Sequence, residues 1–130
     1  MIALDTNVLV RFLVQDDAEQ GERATAFMSR RTPEEPAFVS LVVLVETVWV
    51  LRRTFRYPAR AVRNVVRSLL DVSELVIQNS SLARAALDQC DRSGADFADA
   101  VIHLLAREAG CSETVTFDQH AAKTLGMRLL

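Results

Sequence analysis

Residues 37–46 have the sequence AFVSLVVLVE, in which Glu46 ends a run of almost entirely apolar side chains. The first four residues are typical of a short buried strand, and the helical spacing after Leu41 predicts a helix that runs to about Thr54. Glu46 then lies about a turn and a half into an apolar helix. Because a carboxylate in apolar surroundings is costly unless something compensates it, Glu46 indicates a partner outside its own segment.

Three further acids stand at comparable places in the chain. Asp5 and Asp118 each follow an apolar, strand-like segment, and Asp99 precedes an apolar helical one. Four acids spread over the whole chain suggest one shared compensator, and a divalent cation is the obvious candidate because hard cations choose carboxylate oxygens. The sequence therefore predicts that Asp5, Glu46, Asp99 and Asp118 form a site for Mg²⁺ or Mn²⁺.

Short apolar segments alternate with helical patterns along the whole chain. The predicted strands are residues 1–5, 37–40, 74–77, 113–116 and 127–129. The predicted helices run over residues 6–14, 16 or 17 to 30, 41–54, 58–70, 80 or 81 to 92, 96–110 and 119–125. This order predicts an α/β fold with a central, mainly parallel sheet of four to five strands. Since functional groups gather beyond the carboxyl ends of such strands, the four acids are expected to converge at one end of the sheet.

Length and composition fit a single domain spanning residues 1–130, because 130 residues with 50% hydrophobic side chains support one packed core. The chain begins with a predicted strand and no basic segment, so no signal peptide is expected. No apolar run reaches the roughly 18–20 residues that a membrane span needs. Cys90 and Cys111 lack CxxC spacing, which favours free buried thiols and a reducing, cytoplasmic location.

Positive charge is distributed unevenly in a chain whose net charge is −2. Every basic residue except Lys123 is an arginine, and the segment from Thr47 to Leu70 has six arginines and no acid. These six are Arg52, Arg53, Arg56, Arg60, Arg63 and Arg67. A patch of one sign attracts polyanions, so the six are candidate contacts to RNA phosphates. A solvated helix face, or a groove for an acidic protein partner, is the alternative.

Four motifs, in this order, resemble those of the PIN domain family, and within it those of VapC-type toxins. They are Leu4–Asp5–Thr6–Asn7, the segment from Ser40 to Glu46, the segment from Gly94 to Ile102, and Thr116–Phe117–Asp118. The order and spacing of these motifs cover nearly the whole chain. PIN domains are three-layer α/β/α metal-dependent ribonucleases, and VapC-type members cleave RNA and are held inactive by a cognate antitoxin.

The resemblance implies a cytoplasmic, Mg²⁺- or Mn²⁺-dependent endoribonuclease that hydrolyses RNA phosphodiester bonds. Its catalytic, metal-binding acids fall on Asp5, Glu46, Asp99 and Asp118, and supporting roles fall on Asp96, Asn7 and Thr116. The implied partners are RNA, a VapB-like antitoxin and a second copy of the chain. Operator DNA is expected only through the antitoxin complex, and no membrane is expected.

Helix capping is the structural alternative for several of these acids. Asp5 and Asp118 each precede a predicted helix, and Asp96 with Asp99 has the spacing of a capping box. A structural role for Glu46 would require a buried base, which Arg11 would have to supply.

Three other residues have less distinctive patterns. His103, one turn after Asp99, either supports the site or packs in the core. His120 is expected at the surface. Trp49 is expected in the core or at a dimer interface.

Other protein classes also place an aspartate after the first strand. A receiver domain would have an acidic pair there and a lysine after a late strand, whereas Asp5 stands alone and Lys123 lies in a predicted helix. A haloacid-dehalogenase phosphatase would have Asp-x-Asp, but position 7 is Asn7. A non-catalytic regulatory module, whose acidic pocket binds an arginine of a partner, is the alternative that stays open.

Overall fold

A computed structural model describes all residues from Met1 to Leu130. The chain divides into two units, Met1–Ser80 and Ser81–Leu130. Helices alternate with parallel strands in both units, which confirms the predicted α/β class. A single domain over residues 1–130 stays a prediction.

The first unit is built on three parallel strands in the order β1-β2-β3. Its elements are β1 (Ile2–Ala3), α1 (Thr6–Val14), α2 (Ala18–Met28), β2 (Ala37–Val39), α3 (Leu41–Arg53), α4 (Ala59–Leu70) and β3 (Leu75–Ile77). Ile2 pairs with Ala37, and Phe38 of the same central strand pairs with Val76. Every strand in this sheet therefore ends in the same direction, and Asp5 and Ser40 follow the ends of β1 and β2.

Helix α3 begins directly after β2 because Ser40 caps it: its hydroxyl accepts a hydrogen bond from the backbone N–H of Val43 at 3.2 Å. Leu44 and Leu51 on one face are fully buried. Trp49 lies on the opposite face with 58% of its surface exposed, so the predicted placement of this side chain in the core is wrong. Its place at a dimer interface stays a prediction.

Helices α3 and α4 are joined by a tight turn at Arg56, which has a left-handed backbone with φ of 57°. The guanidinium of Arg52 donates to the carbonyl of Tyr57 at 2.8 Å, and Pro58 then precedes α4. Val62, Val66 and Leu69 of α4 are buried, whereas Arg60 is exposed and Arg63 and Arg67 are half-buried. The arginine-rich hairpin is thus fixed by its own local contacts.

The second unit contains α5 (Ser80–Ser93), which starts at the last residue of the first unit, α6 (Phe97–Glu108), β4 (Val115–Thr116), α7 (Gln119–Leu125) and β5 (Arg128–Leu129). Strands β4 and β5 are parallel, and Val115 pairs with Arg128. Arg128 also binds Glu113 through two bonds of 2.9 Å from Nε and Nη2. His103 is buried and its Nδ1 lies 3.2 Å from the hydroxyl of Thr114, so it packs between α6 and the segment before β4.

The predicted sheet of four to five strands is wrong, because the main sheet has three strands and β4 and β5 form a separate pair. Strand length does not explain the separation, because β1 is also two residues long and pairs with β2, whereas the backbone groups of β4 and β5 are paired with each other. Apolar patterning located all five strands but carried no information on which strands pair.

Neither cysteine forms a disulfide, as predicted, but only Cys90 is buried and Cys111 is exposed. The prediction of two buried thiols is therefore wrong for Cys111, which follows the helix stop at Gly110 and lies in the surface turn. No helix has the length and apolar character required to traverse a bilayer.

Candidate active site

Asp5 occupies the N-cap position of α1 but does not use its side chain as a cap. The residue is exposed, its backbone is extended, and its carboxylate accepts no capping hydrogen bond. Asp17, the N-cap of α2, does accept one from the amide of Gln20. The capping alternative for Asp5 is therefore wrong, and its carboxylate oxygens remain available for another ligand.

Glu46 is held by a residue that the sequence did not single out as part of the site. The hydroxyl of Thr6, which is buried, donates to Oε2 of Glu46 at 3.0 Å. Thr6 is the first residue of α1, so this bond fixes Glu46 beside the helix that Asp5 precedes. Glu46 itself is exposed, so the predicted apolar surroundings of this carboxylate are not present. The alternative partner Arg11 instead pairs with Asp16 at 3.0 Å.

In the second unit, Asp96 and Asp99 lie at the start of α6. Oδ1 of Asp96 accepts a hydrogen bond from the amide of Asp99 at 3.2 Å, which confirms that Asp96 is the helix cap. Asp99, in the first turn, is half-buried. The capping bond is accepted by Asp96, so the cap alternative is not needed for the side chain of Asp99, whose role in the site stays a prediction.

Asp118 starts α7 in a similar way. Its Oδ1 accepts hydrogen bonds from the backbone amides of His120 and Ala121 at 2.8 and 3.1 Å. The capping alternative is therefore correct for this oxygen, and Oδ2 takes no part in the cap. The hydroxyl of Thr116 accepts from the amide of Asp118 at 3.0 Å and holds the turn between β4 and α7. This contact belongs to the turn, and the supporting role that the resemblance implies for Thr116 stays a prediction.

Asp99 is affected electrostatically by its neighbours in the second unit. Partial burial raises the pKa of Asp99 above its ordinary value of 3.8, the negative charges of Asp96 and then Asp118 raise it further, and His120 lowers it. No lysine or arginine is among the groups that shift this pKa. Asp99 therefore lies near two other acids in the second unit, and His120 is the one basic group that offsets their effect on its pKa.

We expect Asp99→Asn to raise the free energy of unfolding at pH 7 in the absence of metal, by about 0.2–1 kcal/mol since solvent screens the half-buried group. A carboxyl whose pKa is higher in the folded than in the unfolded state makes the folded state lose relative stability as pH rises through that window. The gain should consequently vanish below pH ~3, where the carboxyl is protonated in both states. Urea unfolding of both proteins at several pH values measures it. A stability gain independent of pH would contradict this origin.

His120 makes a contact that local sequence patterns could not indicate. The residue is exposed, as expected, but its Nε2 lies 2.9 Å from the carbonyl oxygen of Gly94, 26 positions earlier. Asn7, by contrast, lines a groove of about 490 Å³ between α1 and α2, with Arg11 and Gln20. The structure thus gives Asn7 a place on the groove wall, and its predicted supporting role stays a prediction.

The six arginines predicted to contact RNA divide into two groups. Arg52, Arg53, Arg56 and Arg60 are exposed, and Arg63 and Arg67 on α4 are half-buried. Arg52 is engaged with the turn through its bond to Tyr57. The exposed members lie at and around the hairpin turn, where a polyanion can reach them.

The donor chemistry fits a hard dication, since Asp5 and Glu46 in the first unit and Asp99 and Asp118 in the second supply only carboxylate oxygens. No group of three or more His, Cys, Asp or Glu side chains is arranged to hold a metal ion. The predicted convergence of the four acids joins residues of both units and stays a prediction.

Comparison with known protein families decides the identity of the fold. The family model described as PIN domain matches residues 2–125, which is nearly the whole chain. The chain belongs to the PIN domain family. Its seven helices and parallel strands are consistent with the three-layer α/β/α PIN-like fold. No individual curated protein matches the chain.

Membership assigns a general activity. PIN domains are generally nucleases, so this PIN domain is a nuclease-type hydrolase at that level of description. PIN domain nucleases usually use divalent metal ions, in agreement with the carboxylate donor set. The RNA specificity and the toxin role are finer statements that family membership alone does not decide.

Proposed function

We propose that this PIN domain is a Mg²⁺- or Mn²⁺-dependent endoribonuclease of the VapC type, which hydrolyses RNA phosphodiester bonds in the cytoplasm and is inhibited by a VapB-like antitoxin. The observation that carries the proposal is the grouping of acids with no lysine or arginine beside Asp99. Asp96 and Asp118 raise the pKa of Asp99, and the carboxylate of Asp5 makes no capping bond. Carboxylate oxygens are the ligands with which a metal-dependent nuclease would hold a dication.

Asp5, Glu46, Asp99 and Asp118 are the residues that would hold the cation. A divalent cation in such a site activates water and neutralises charge on the phosphate. The hydroxyl of Thr6 fixes Oε2 of Glu46, so that one carboxylate oxygen is oriented and the other is left for cation or water. The amides of α7 likewise fix Oδ1 of Asp118, which leaves Oδ2 for the site.

The arginine hairpin would bind the RNA backbone. Arg53, Arg56 and Arg60 are exposed around the turn between α3 and α4, and their charges can contact phosphates without reading sequence. Exposed apolar side chains on α3, Val42 and Trp49, offer surface for a second copy or for an antitoxin helix. Operator DNA would be bound only through the antitoxin.

Metal-dependent cleavage of RNA by the purified chain tests the proposal. Cleavage of a mixed-sequence single-stranded RNA is expected with Mg²⁺ or Mn²⁺ and is expected to stop when EDTA removes the cation. An equal-length DNA strand serves as the substrate control. Absence of cleavage with either metal, together with acid-dependent binding of an arginine-bearing partner, would favour the non-catalytic module instead.

Thr6→Val is expected to lower the turnover number by about tenfold, because the oriented oxygen of Glu46 loses its hydrogen-bond donor. Thr6→Ser keeps a hydroxyl and should retain most of the activity. Thr47→Val is the matched control: Thr47 is fully buried on α3 and its hydroxyl has no hydrogen-bond partner.

Steady-state cleavage of one RNA by all three variants measures the effect. Equal losses in Thr6→Val and Thr47→Val would show that general disturbance of the core, rather than the bond to Glu46, is responsible.

A further inference from the structure

Two helices of the second unit begin with aspartates, and one histidine connects their starting points. Asp96 caps α6 and Asp118 caps α7. His120, the second residue of α7, contacts the carbonyl oxygen of Gly94 through Nε2 at 2.9 Å. A carbonyl oxygen can only accept a hydrogen bond, so Nε2 carries the proton in this contact. The bond therefore ties the first turn of α7 to the residue two positions before the cap of α6.

Gly94 is the point at which the chain turns from α5 towards α6. Its backbone has φ of 77°, a conformation that other residues rarely adopt, and its amide donates to the carbonyl of Cys90 at the end of α5. The hydroxyl of Ser93 accepts from the amide of Ala95 at 3.3 Å. These contacts fix the short turn on its α5 side, and His120 is the contact that fixes it to α7.

The two helix starts carry charges of the same sign. Asp96 and Asp118 each act on Asp99 unfavourably, while the ring of His120 acts on it favourably. Like charges push the two helix starts apart in the absence of cation. A hydrogen bond that joins them opposes this separation.

We infer that His120 is a positioning residue, whose hydrogen bond to the Gly94 carbonyl keeps the starts of α6 and α7 at the separation required for Asp99 and Asp118 to act on the same cation. This inference rests on the proposed metal-dependent nuclease function. His120 has no contact with the reacting atoms in this role. It acts through the main chain that carries the two acids.

Three substitutions at this position separate positioning from simple loss of a side chain. His120→Ala removes the hydrogen-bond donor. His120→Asn keeps an amide donor, but its side chain is too short to reach the Gly94 carbonyl. His120→Gln places an amide nitrogen at nearly the same distance from the main chain as Nε2 and can donate to the same carbonyl. Lys123→Ala, one turn further along α7, is the control for a charge or stability change in this helix.

Manganese affinity, measured by electron paramagnetic resonance of free Mn²⁺, and steady-state RNA cleavage are the two readouts. His120→Ala and His120→Asn are expected to weaken Mn²⁺ binding about tenfold and to lower kcat with little change in KM for RNA. His120→Gln should recover most of both losses, and Lys123→Ala should match the wild type. Wild-type affinity in His120→Ala, or no recovery in His120→Gln, would overturn the inference.

Hydrogen exchange of the metal-free protein tests this inference separately from the nuclease proposal. If the wild type neither binds Mn²⁺ nor cleaves RNA, the proposed function fails. The positioning bond is still tested, because the amide of Asp99 bonds to Asp96 within the turn that His120 holds. Its exchange should be faster in His120→Ala than in wild type or His120→Gln. Equal exchange in all three proteins would overturn the positioning role by itself.

Discussion

Asp5→Asn is expected to lower the turnover number for RNA cleavage by about 10²–10⁴-fold, since a residue that helps to hold the cation supplies several kcal/mol of transition-state stabilisation. The same substitution should change the free energy of unfolding by less than about 0.5 kcal/mol, because the carboxylate makes no capping bond. Single-turnover cleavage with saturating Mn²⁺ and urea unfolding measure the two quantities. Loss of activity without loss of stability indicates a functional acid, whereas loss of stability would indicate a structural cap.

Asp17→Asn is the matched control for that experiment. Asp17 also stands at a helix N-cap, but its carboxylate accepts a bond from the amide of Gln20, and the substitution removes the same charge. It should leave the turnover number unchanged. Comparable loss of activity in Asp5→Asn and Asp17→Asn would indicate that net charge, and not a ligand at Asp5, determines the activity.

Simultaneous replacement of Arg53, Arg56 and Arg60 by alanine is expected to weaken RNA binding by about 10²-fold at 0.1 M salt. Each lost phosphate contact reduces the slope of log affinity against log salt by about 0.7 for single-stranded RNA, so the slope should fall by about 2. Arg52 is kept, because its bond to the Tyr57 carbonyl holds the hairpin turn. Fluorescence anisotropy with a catalytically inactive Asp5→Asn background measures both values.

A second triple variant with the same change in net charge provides the control for the hairpin. Arg30, Arg92 and Arg107 are exposed and lie outside the hairpin. Their replacement by alanine should leave the salt slope nearly unchanged. If both triple variants lose affinity equally, RNA responds to overall charge, and the hairpin is not its binding surface.

Local features of the chain were predictable to the residue. Helices α1 and α7 occupy the predicted ranges 6–14 and 119–125, because the apolar spacing of α1 and the Asp118 cap before α7 are short-range signals. The cap at Asp96 followed from its spacing to Asp99. In each case the residues that determine the structure lie within a few positions of one another.

Features that depend on distant residues were not predictable. The bond from Thr6 to Glu46 spans 40 positions and that from His120 to Gly94 spans 26. The assignment of β4 and β5 to their own pair depends in the same way on long-range partners. The pattern of apolar side chains in α3 could not show whether Trp49 lies on the buried or the exposed face of this helix. Sequence reasoning therefore proposed the acids of the candidate site but missed Thr6 and His120, whose hydrogen bonds connect distant parts of the chain beside them.

Uncompensated acids have a thermodynamic consequence that links the site to stability. The raised pKa of Asp99 means that its ionised form is disfavoured in the metal-free protein. A dication bound to the folded chain alone would relieve this repulsion and stabilise the chain by mass action, about 2.7 kcal/mol at a hundredfold excess over Kd. Under the proposed function, the acids would therefore destabilise the metal-free chain, and the bound cation would stabilise it.

Titration of Mn²⁺ into wild type, Asp5→Asn, Asp99→Asn and Asp17→Asn, followed by the paramagnetic signal of free Mn²⁺, tests most directly whether acids from both units bind the cation. Asp5→Asn in the first unit and Asp99→Asn in the second should each weaken Mn²⁺ affinity by about tenfold or more, while Asp17→Asn keeps the wild-type value. Wild-type affinity in both site variants, or an equal loss in the Asp17 control, would contradict a shared carboxylate site.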